Sequence, residues 1–292
     1  MNIAVLDFAN ARETESHLPP QIPSVAELME QALSPHLLIG MPHMTPAGLS
    51  DTWLMKELGH RHWLMLARHL GMPDADFRTS DGGEAYAAIC ATSLQDARFD
   101  KARANDVLTI RSALTPVSRT QVSTRHALSV RGIPIGDVEL ISTFVHRTRD
   151  GDNYSIARVP LPGMAEATAE NALARTASLL RSGQLDTHLG LQANPPKRLR
   201  GFRFEPDASQ EFNGAGLFYF AQFQAITDRA FGRWFGTTRP IRHRDVFFSG
   251  NIRQGETVYL ELMAMTPERR AALCRLLRED GKVIGQIFSA WS

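Results

Sequence analysis

Glu211-Phe212-Asn213-Gly214-Ala215-Gly216-Leu217-Phe218-Tyr219-Phe220-Ala221-Gln222-Phe223 joins a tight turn of small residues to a long apolar run. Leu217, Phe220, Phe223, Ala225, Ile226 and Ala230 recur at near-helical spacing, which predicts a buried helix entered from the glycine turn and running to about residue 235. A turn of this kind aims several backbone N–H groups at one spot, and such a spot attracts negative charge or a polarised carbonyl. The plainer alternative is that Gly214-Ala215-Gly216 only permits close packing.

The same join occurs earlier. Thr45-Pro46-Ala47-Gly48-Leu49 matches Asn213-Gly214-Ala215-Gly216-Leu217, and a helical pattern again follows, with Trp53, Leu54, Leu58, His62, Leu66 and Leu70 in phase. Ser50 or Asp51 fits its N-cap, and Gly71 with Pro73 fits its end. Strand-like segments follow each helix: 84–94, 107–111, 117–130 and 137–147 after the first, then 246–249, 254–261, 271–279 and 282–291 after the second. Further matches tie the halves together. Asp106 to Ile110 resembles Glu256 to Leu260, Thr115-Pro116 resembles Thr266-Pro267, and Gly132 and Gly136 resemble Gly281 and Gly285. The expected organisation is an arm over 1–33, one unit over 34–148, a linker with an Ala-rich helix over 149–196, and a second unit over 197–292. Helix followed by antiparallel strands, twice, is an α+β pattern.

Composition narrows the partners. Lys plus Arg number 32 against 31 for Asp plus Glu, so no net charge points to nucleic acid. Hydrophobic residues make up 43% of the 292, enough for sizeable cores. Cys90 and Cys274 sit in apolar surroundings and read as buried thiols. No apolar run approaches a membrane span, and Met1 to Phe8 lacks a basic n-region, so a cytoplasmic protein is expected. His60 and His62 fall on different helix faces, and no other spacing suggests a metal site or a dinucleotide or phosphate loop.

A helix wrapped by an antiparallel sheet, paired with a second copy, resembles the hot-dog fold, here as a double hot-dog in one chain. The run from Asn213 to Phe220 is similar to the Asp-Pro-Ala-Gly-hydrophobic-hydrophobic-Tyr-Tyr run of hydroxybenzoyl-CoA-type thioesterases. Asn213 stands where that pattern has Asp. An amide neither attacks a thioester nor activates water, but it donates a hydrogen bond to a thioester oxygen. A double hot-dog with Asn in this role also resembles the leinamycin-type bifunctional acyltransferase/decarboxylases of polyketide biosynthesis. That resemblance implies a malonyl-type acyl thioester, carried by an acyl carrier protein or coenzyme A, as substrate and partner. It implies no cofactor beyond coenzyme A or phosphopantetheine as the carrier, and it places an important Tyr at Tyr86. Self-association into a homodimer stays open.

The expected site follows. Asn213, with the backbone N–H groups of Ala215, Gly216 and Leu217, would hold an enolate or polarised thioester oxygen, and Gly214 would let substrate approach. The alternative for Asn213 is a helix cap. Tyr86 would accept an acyl group or donate a proton, with Glu84 or His43 as partner; the alternative is a half-buried strand tyrosine. Thr45, His43 and Gly48 would line the pseudo-equivalent cleft. A dehydratase would instead need a His with a carboxylate, for which His43 with Asp51 or Glu211 is the available set. Residues 197–200 and 239–244 are basic and suit phosphates or an acidic carrier surface, or are simply solvated.

Overall fold

The computed structural model describes residues 22–160, 170–236 and 239–292. The helices of eight residues or more are α1 (Val25–Ala32), α2 (Asp51–His69), α3 (Ala172–Arg181) and α4 (Ala221–Phe235). Strands β1 (His36–Leu38), β2 (Tyr86–Gln95), β3 (Val107–Ser118), β4 (Gln121–Val130), β5 (Ile133–Arg147) and β6 (Ile156–Arg158) precede α3. Strands β7 (Arg200–Phe204), β8 (Ile241–Phe248), β9 (Val258–Met265), β10 (Ala271–Arg278) and β11 (Val283–Trp291) follow it. All eleven form one antiparallel sheet in the order β1-β3-β4-β5-β2-β8-β11-β10-β9-β7, with β6 on the end of β5. The order reads the same from both edges, so the chain is two hot-dog units joined where β2 pairs with β8. There Thr92 faces Val246 and Ser93 faces Asp245.

Each long helix packs on one face of its own half of the sheet. Leu54 and Leu58 of α2 meet Leu94, Leu108, Leu128 and Leu140. Phe223, Ile226 and Ala230 of α4 meet Val246, Leu260, Leu276 and Ile287. The neighbouring residues Ile141, Leu273 and Phe288 point the other way, as strand alternation demands. They are covered by Leu173, Ala177 and Leu180 of α3. The linker helix thus seals the sheet face that the two long helices leave bare.

The repeat matches have structural counterparts. Gly132 and Gly281, at φ 75° and 79°, turn the two equivalent hairpins β4–β5 and β10–β11. Thr115-Pro116 and Thr266-Pro267 are one residue out of step with the preceding match because β9 bulges between Leu262 and Ala264.

Several sequence expectations need correction. The alternating stretch 117–130 is not one strand, since the chain reverses at Arg119-Thr120 between β3 and β4. The strand expected over 137–147 starts earlier, because the turn before it is confined to Arg131-Gly132, both at positive φ, and β5 begins at Ile133. The second long helix starts only at Ala221. Leu217 to Phe220 lie outside it, held by a bridge between Phe212 and Phe218. The Ala-rich helix of the linker begins at Ala172 with an Asn171 cap, and residues 161–169 of the linker lie outside the described residues, as does most of the 1–33 arm.

One polar chain crosses the first core. His62 of α2 bonds Thr124 and Ser142, each at 2.7 Å. His126 joins through Thr124 at 3.0 Å and ends on Ser112 at 2.8 Å. Burial holds both imidazoles down to about 3. In the unfolded chain each takes up a proton near pH 6.5. Between these values the unfolded state binds more protons, so stability is full above about pH 6.5 and is lost as pH falls towards 3. The loss is up to about 1.4 kcal/mol per pH unit per histidine. Denaturant titrations at successive pH values should show it, and His62→Gln should flatten the slope.

Candidate functional site

The Asn213 turn is built on its own side chain. Oδ1 accepts the N–H groups of Ala215 at 3.1 Å and Leu217 at 3.0 Å, while Gly216 N–H donates to the Asn213 carbonyl at 2.8 Å. This corrects the expected donor set, because the backbone N–H groups of Ala215, Gly216 and Leu217 are spent inside the turn. Asn213 is not a helix cap either, as α4 begins beyond Phe220. With Oδ1 fixed by two N–H donors, the amide orientation is determined, and Nδ2 faces away from the turn. Among the described residues no acceptor is found for Nδ2.

Asn213 lines a cavity of about 910 Å³, at the large end for small-molecule sites. Gly214, Ala215 and Leu217 line it too, so four of the expected site residues share a wall, whereas Gly216 does not. Trp63, Phe77, Val145, Phe220, Phe223 and Phe248 make much of its surface aromatic or aliphatic. Gly59 of α2 lets the Phe220 ring lie against the helix, as a Cβ there would sit 2.7 Å from Phe220 Cε1.

The structure brings Tyr86 into this cavity together with Glu84. The Tyr86 hydroxyl donates to Glu84 Oε2 and accepts from Arg147 Nη1 at 3.1 Å. Burial first, and then the bond to Glu84, push the phenol pKa up. Tyr86 therefore stays protonated and is poorly suited to accept an acyl group. Arg147 links the two expected residues, since its Nη2 donates to the Ala215 carbonyl at 2.5 Å. Asn153 completes the tie. Its Oδ1 accepts from Arg147 at 2.8 and 3.0 Å, and its Nδ2 donates to the Gly216 and Ile252 carbonyls. Asn251 holds Phe218 from the other side, accepting its N–H at 3.0 Å and donating to its carbonyl at 3.2 Å. Sequence reasoning missed Arg147, Asn153 and Asn251. Their only local signal is the polar stretch 149–153 and an Asn beside Gly250.

Thr45, His43 and Gly48 lie elsewhere, outside this cavity. His43 Nδ1 accepts the Gly40 N–H at 2.6 Å, and its ring packs on Trp53 at 4.5 Å. Thr45 Oγ1 accepts the Ala47 N–H at 3.2 Å, a smaller version of the Asn213 turn. Counted from Thr45 and from Asn213, Lys56 and Gln224 hold the same step, as do Asp51 and Tyr219, and His60 and Asp228. At the cavity, Tyr219 reaches the Lys56 carbonyl and His60 lines the wall. At the other end Gln224 donates to Asp51, and Asp51 and Asp228 both grip the buried Arg244. The pseudo-equivalent position is therefore filled by an ion-pair network. Burial raises the Asp51 carboxyl to about 6 in spite of Arg244. His43, Asp51 and Glu211 are not assembled for dehydration, as Asp51 serves Arg244 and Glu211 accepts the Asp207 N–H at 2.8 Å.

Gly48 has a structural task. At φ 116° its Cβ would fall 2.1 Å from the Phe99 carbonyl oxygen. Gly48→Ala is expected to destabilise the protein by about 1–3 kcal/mol. Gly214→Ala, with open space around it, is expected to be nearly neutral. Thermal melts of the two variants check this contrast.

The expected basic clusters also lie off the cavity. Arg198 pairs with Glu261 at 3.0 Å, Arg200 stacks on Phe235, Arg242 faces Asp96 at 3.7 Å, and Arg244 is buried. The cations at the cavity are Arg158, Arg181, Arg278 and Lys282. Among the described residues no group of His, Cys, Asp and Glu is placed to hold a metal ion, and no helix is long and apolar enough to cross a membrane.

No protein-family profile matches the chain, and no curated protein sequence matches it. Solved structures do. The 12:0-ACP thioesterase from Umbellularia californica superposes with a TM-score of 0.65 at 8% identity, over 88% of this chain and 95% of that one. An acyl-ACP thioesterase from Bacteroides thetaiotaomicron gives 0.57 at 10% identity, over 88% and 96%. At these identities the likeness is one of fold.

Proposed function

We propose that this chain hydrolyses an acyl thioester whose acyl group enters the aromatic cavity. The observation that carries the reading is the Asn213 amide. Its Oδ1 is locked and its Nδ2 free, in the same cavity as a carboxylate, Glu84, that is oriented by Tyr86. Nδ2 donates to the thioester oxygen, and the bond strengthens as that oxygen becomes an oxyanion. Glu84 takes a proton from water, whose oxygen attacks the carbonyl carbon. The C–S bond then breaks, and the proton passes from Glu84 to the departing thiolate. Tyr86 and Arg147 position Glu84 and the turn. The fold shared with acyl-ACP thioesterases supports an acyl carrier protein or coenzyme A as the thiol carrier.

Decarboxylation or transfer of a malonyl-type acyl group, the finer expectation from the sequence, would use the same Asn213 donor to hold an enolate. It gives Glu84 no task, so hydrolysis accounts for more of the site. The test is incubation with saturated acyl-, malonyl- and methylmalonyl-thioesters, read by mass spectrometry. Free acid and thiol from simple acyl substrates support hydrolysis. Loss of carbon dioxide from malonyl substrates with simple acyl groups untouched would replace it with decarboxylation. Binding without turnover of any of them would leave an acyl-binding protein.

A further inference from the structure

Tyr86 of β2 stands opposite Val145 of β5, and Val145 stands opposite Arg158 of β6. Residues directly opposite one another share a face of the sheet. Arg158 therefore lies in the same row as Tyr86, two strand spacings away, about 10 Å. Arg181, in the last turn of α3, approaches the cavity from the covering layer, and both side chains line it. Both are exposed, so they mark a mouth of the cavity rather than its closed interior. Among the described residues neither has a carboxylate partner, unlike Arg278, which pairs with Asp280. Burial pushes the Cys90 thiol up, and both arginines lie near enough to it to pull in the opposite direction. Two guanidinium groups lining one cavity, without a carboxylate partner among the described residues, describe a seat for an anion, and their forked donors suit a phosphate.

We propose that Arg158 and Arg181 bind the phosphate of the 4′-phosphopantetheine arm that carries the acyl group. This rests on the hydrolase reading. The arm is common to coenzyme A and carrier proteins, so the seat serves either. A carboxylate at the far end of the acyl chain has related chemistry, but the acyl chain belongs in the aromatic chamber, away from solvent-exposed arginines.

The test compares matched S-acyl-4′-phosphopantetheine and S-acylpantetheine, which lacks the phosphate, in the wild-type protein and in R158Q/R181Q. Wild type is expected to favour the phosphorylated substrate by tenfold or more in kcat/KM, through KM and most strongly at low salt. In the double variant the ratio should fall close to one, with each single variant between. An equal ratio in both proteins overturns the seat. So does a loss confined to an ω-carboxyacyl pantetheine substrate, which would assign the arginines to the acyl terminus. Calorimetric binding of the non-hydrolysable S-alkyl-4′-phosphopantetheine thioether reads the seat without turnover. If no thioester is hydrolysed but the thioether binds wild type at least tenfold more tightly than R158Q/R181Q, the hydrolase reading falls and the seat stands. Equal thioether affinity removes the seat whatever the activity.

Discussion

Replacing Asn213 by Asp is expected to lower kcat for thioester hydrolysis by roughly 100–1000-fold, the typical cost of one oxyanion donor. The substitution separates two tasks that the amide performs. A carboxylate oxygen still accepts the Ala215 and Leu217 N–H groups, so the turn keeps its shape. The donor is replaced by an acceptor carrying negative charge, where negative charge must develop in the transition state. Circular dichroism melts should differ little, while single-turnover rates collapse. Asn213→Ala is a less clean probe, since it also strips the turn of its acceptor. An Asn213→Asp variant as active as wild type, or more so, would sink carbonyl polarisation. It would mean that a carboxylate at this point attacks the thioester or activates water.

Glu84→Gln is the second large effect, expected at about 100–10,000-fold in kcat, the range for removing a general base. Gln is nearly isosteric, and its carbonyl oxygen still accepts the Tyr86 hydroxyl, so the Tyr86–Arg147–Ala215 connection survives. What goes is the basicity. KM should move little, because Glu84 acts on water rather than on the acyl chain. Steady-state kinetics with one acyl thioester decide it. A rate within about threefold of wild type would free Glu84 from the chemistry and return the decarboxylation reading to the front. Mass spectrometry of the products would then show whether carbon dioxide is released.

The parts of this molecule that could be read from its sequence are those specified locally. The helix of Trp53 to Leu66 announces itself through its spacing, and the glycines at 132 and 281 through their matching places in the repeat, where the structure has both at positive φ. The turn at Arg119-Thr120 carries no glycine or asparagine, and the alternation runs straight through it, so two strands look like one. Leu217 to Phe220 are apolar enough to look helical. They are drawn out of the helix by Asn251, a contact that no window of neighbouring residues contains. The site divides in the same way. Asn213 was visible because its turn is local, and Tyr86 because a resemblance pointed to it. That they share a cavity depends on Arg147 at the end of β5 and Asn153 beyond it, two residues with no signature of their own. The phosphate seat was invisible for a related reason. Isolated arginines on β6 and α3 do not form a run, whereas the runs that do stand out lie off the cavity.

The grip of Asp51 and Asp228 on the buried Arg244 predicts a single binding centre per chain. Two identical hot-dog chains must build two identical centres, and every residue that serves one is obliged to appear in the other. Fusion releases that constraint. With one of the two symmetry-related positions closed by an ion pair, titration with a non-hydrolysable thioether should saturate at one equivalent per chain and follow a simple hyperbola. Each half of the gene is then free to change on its own terms.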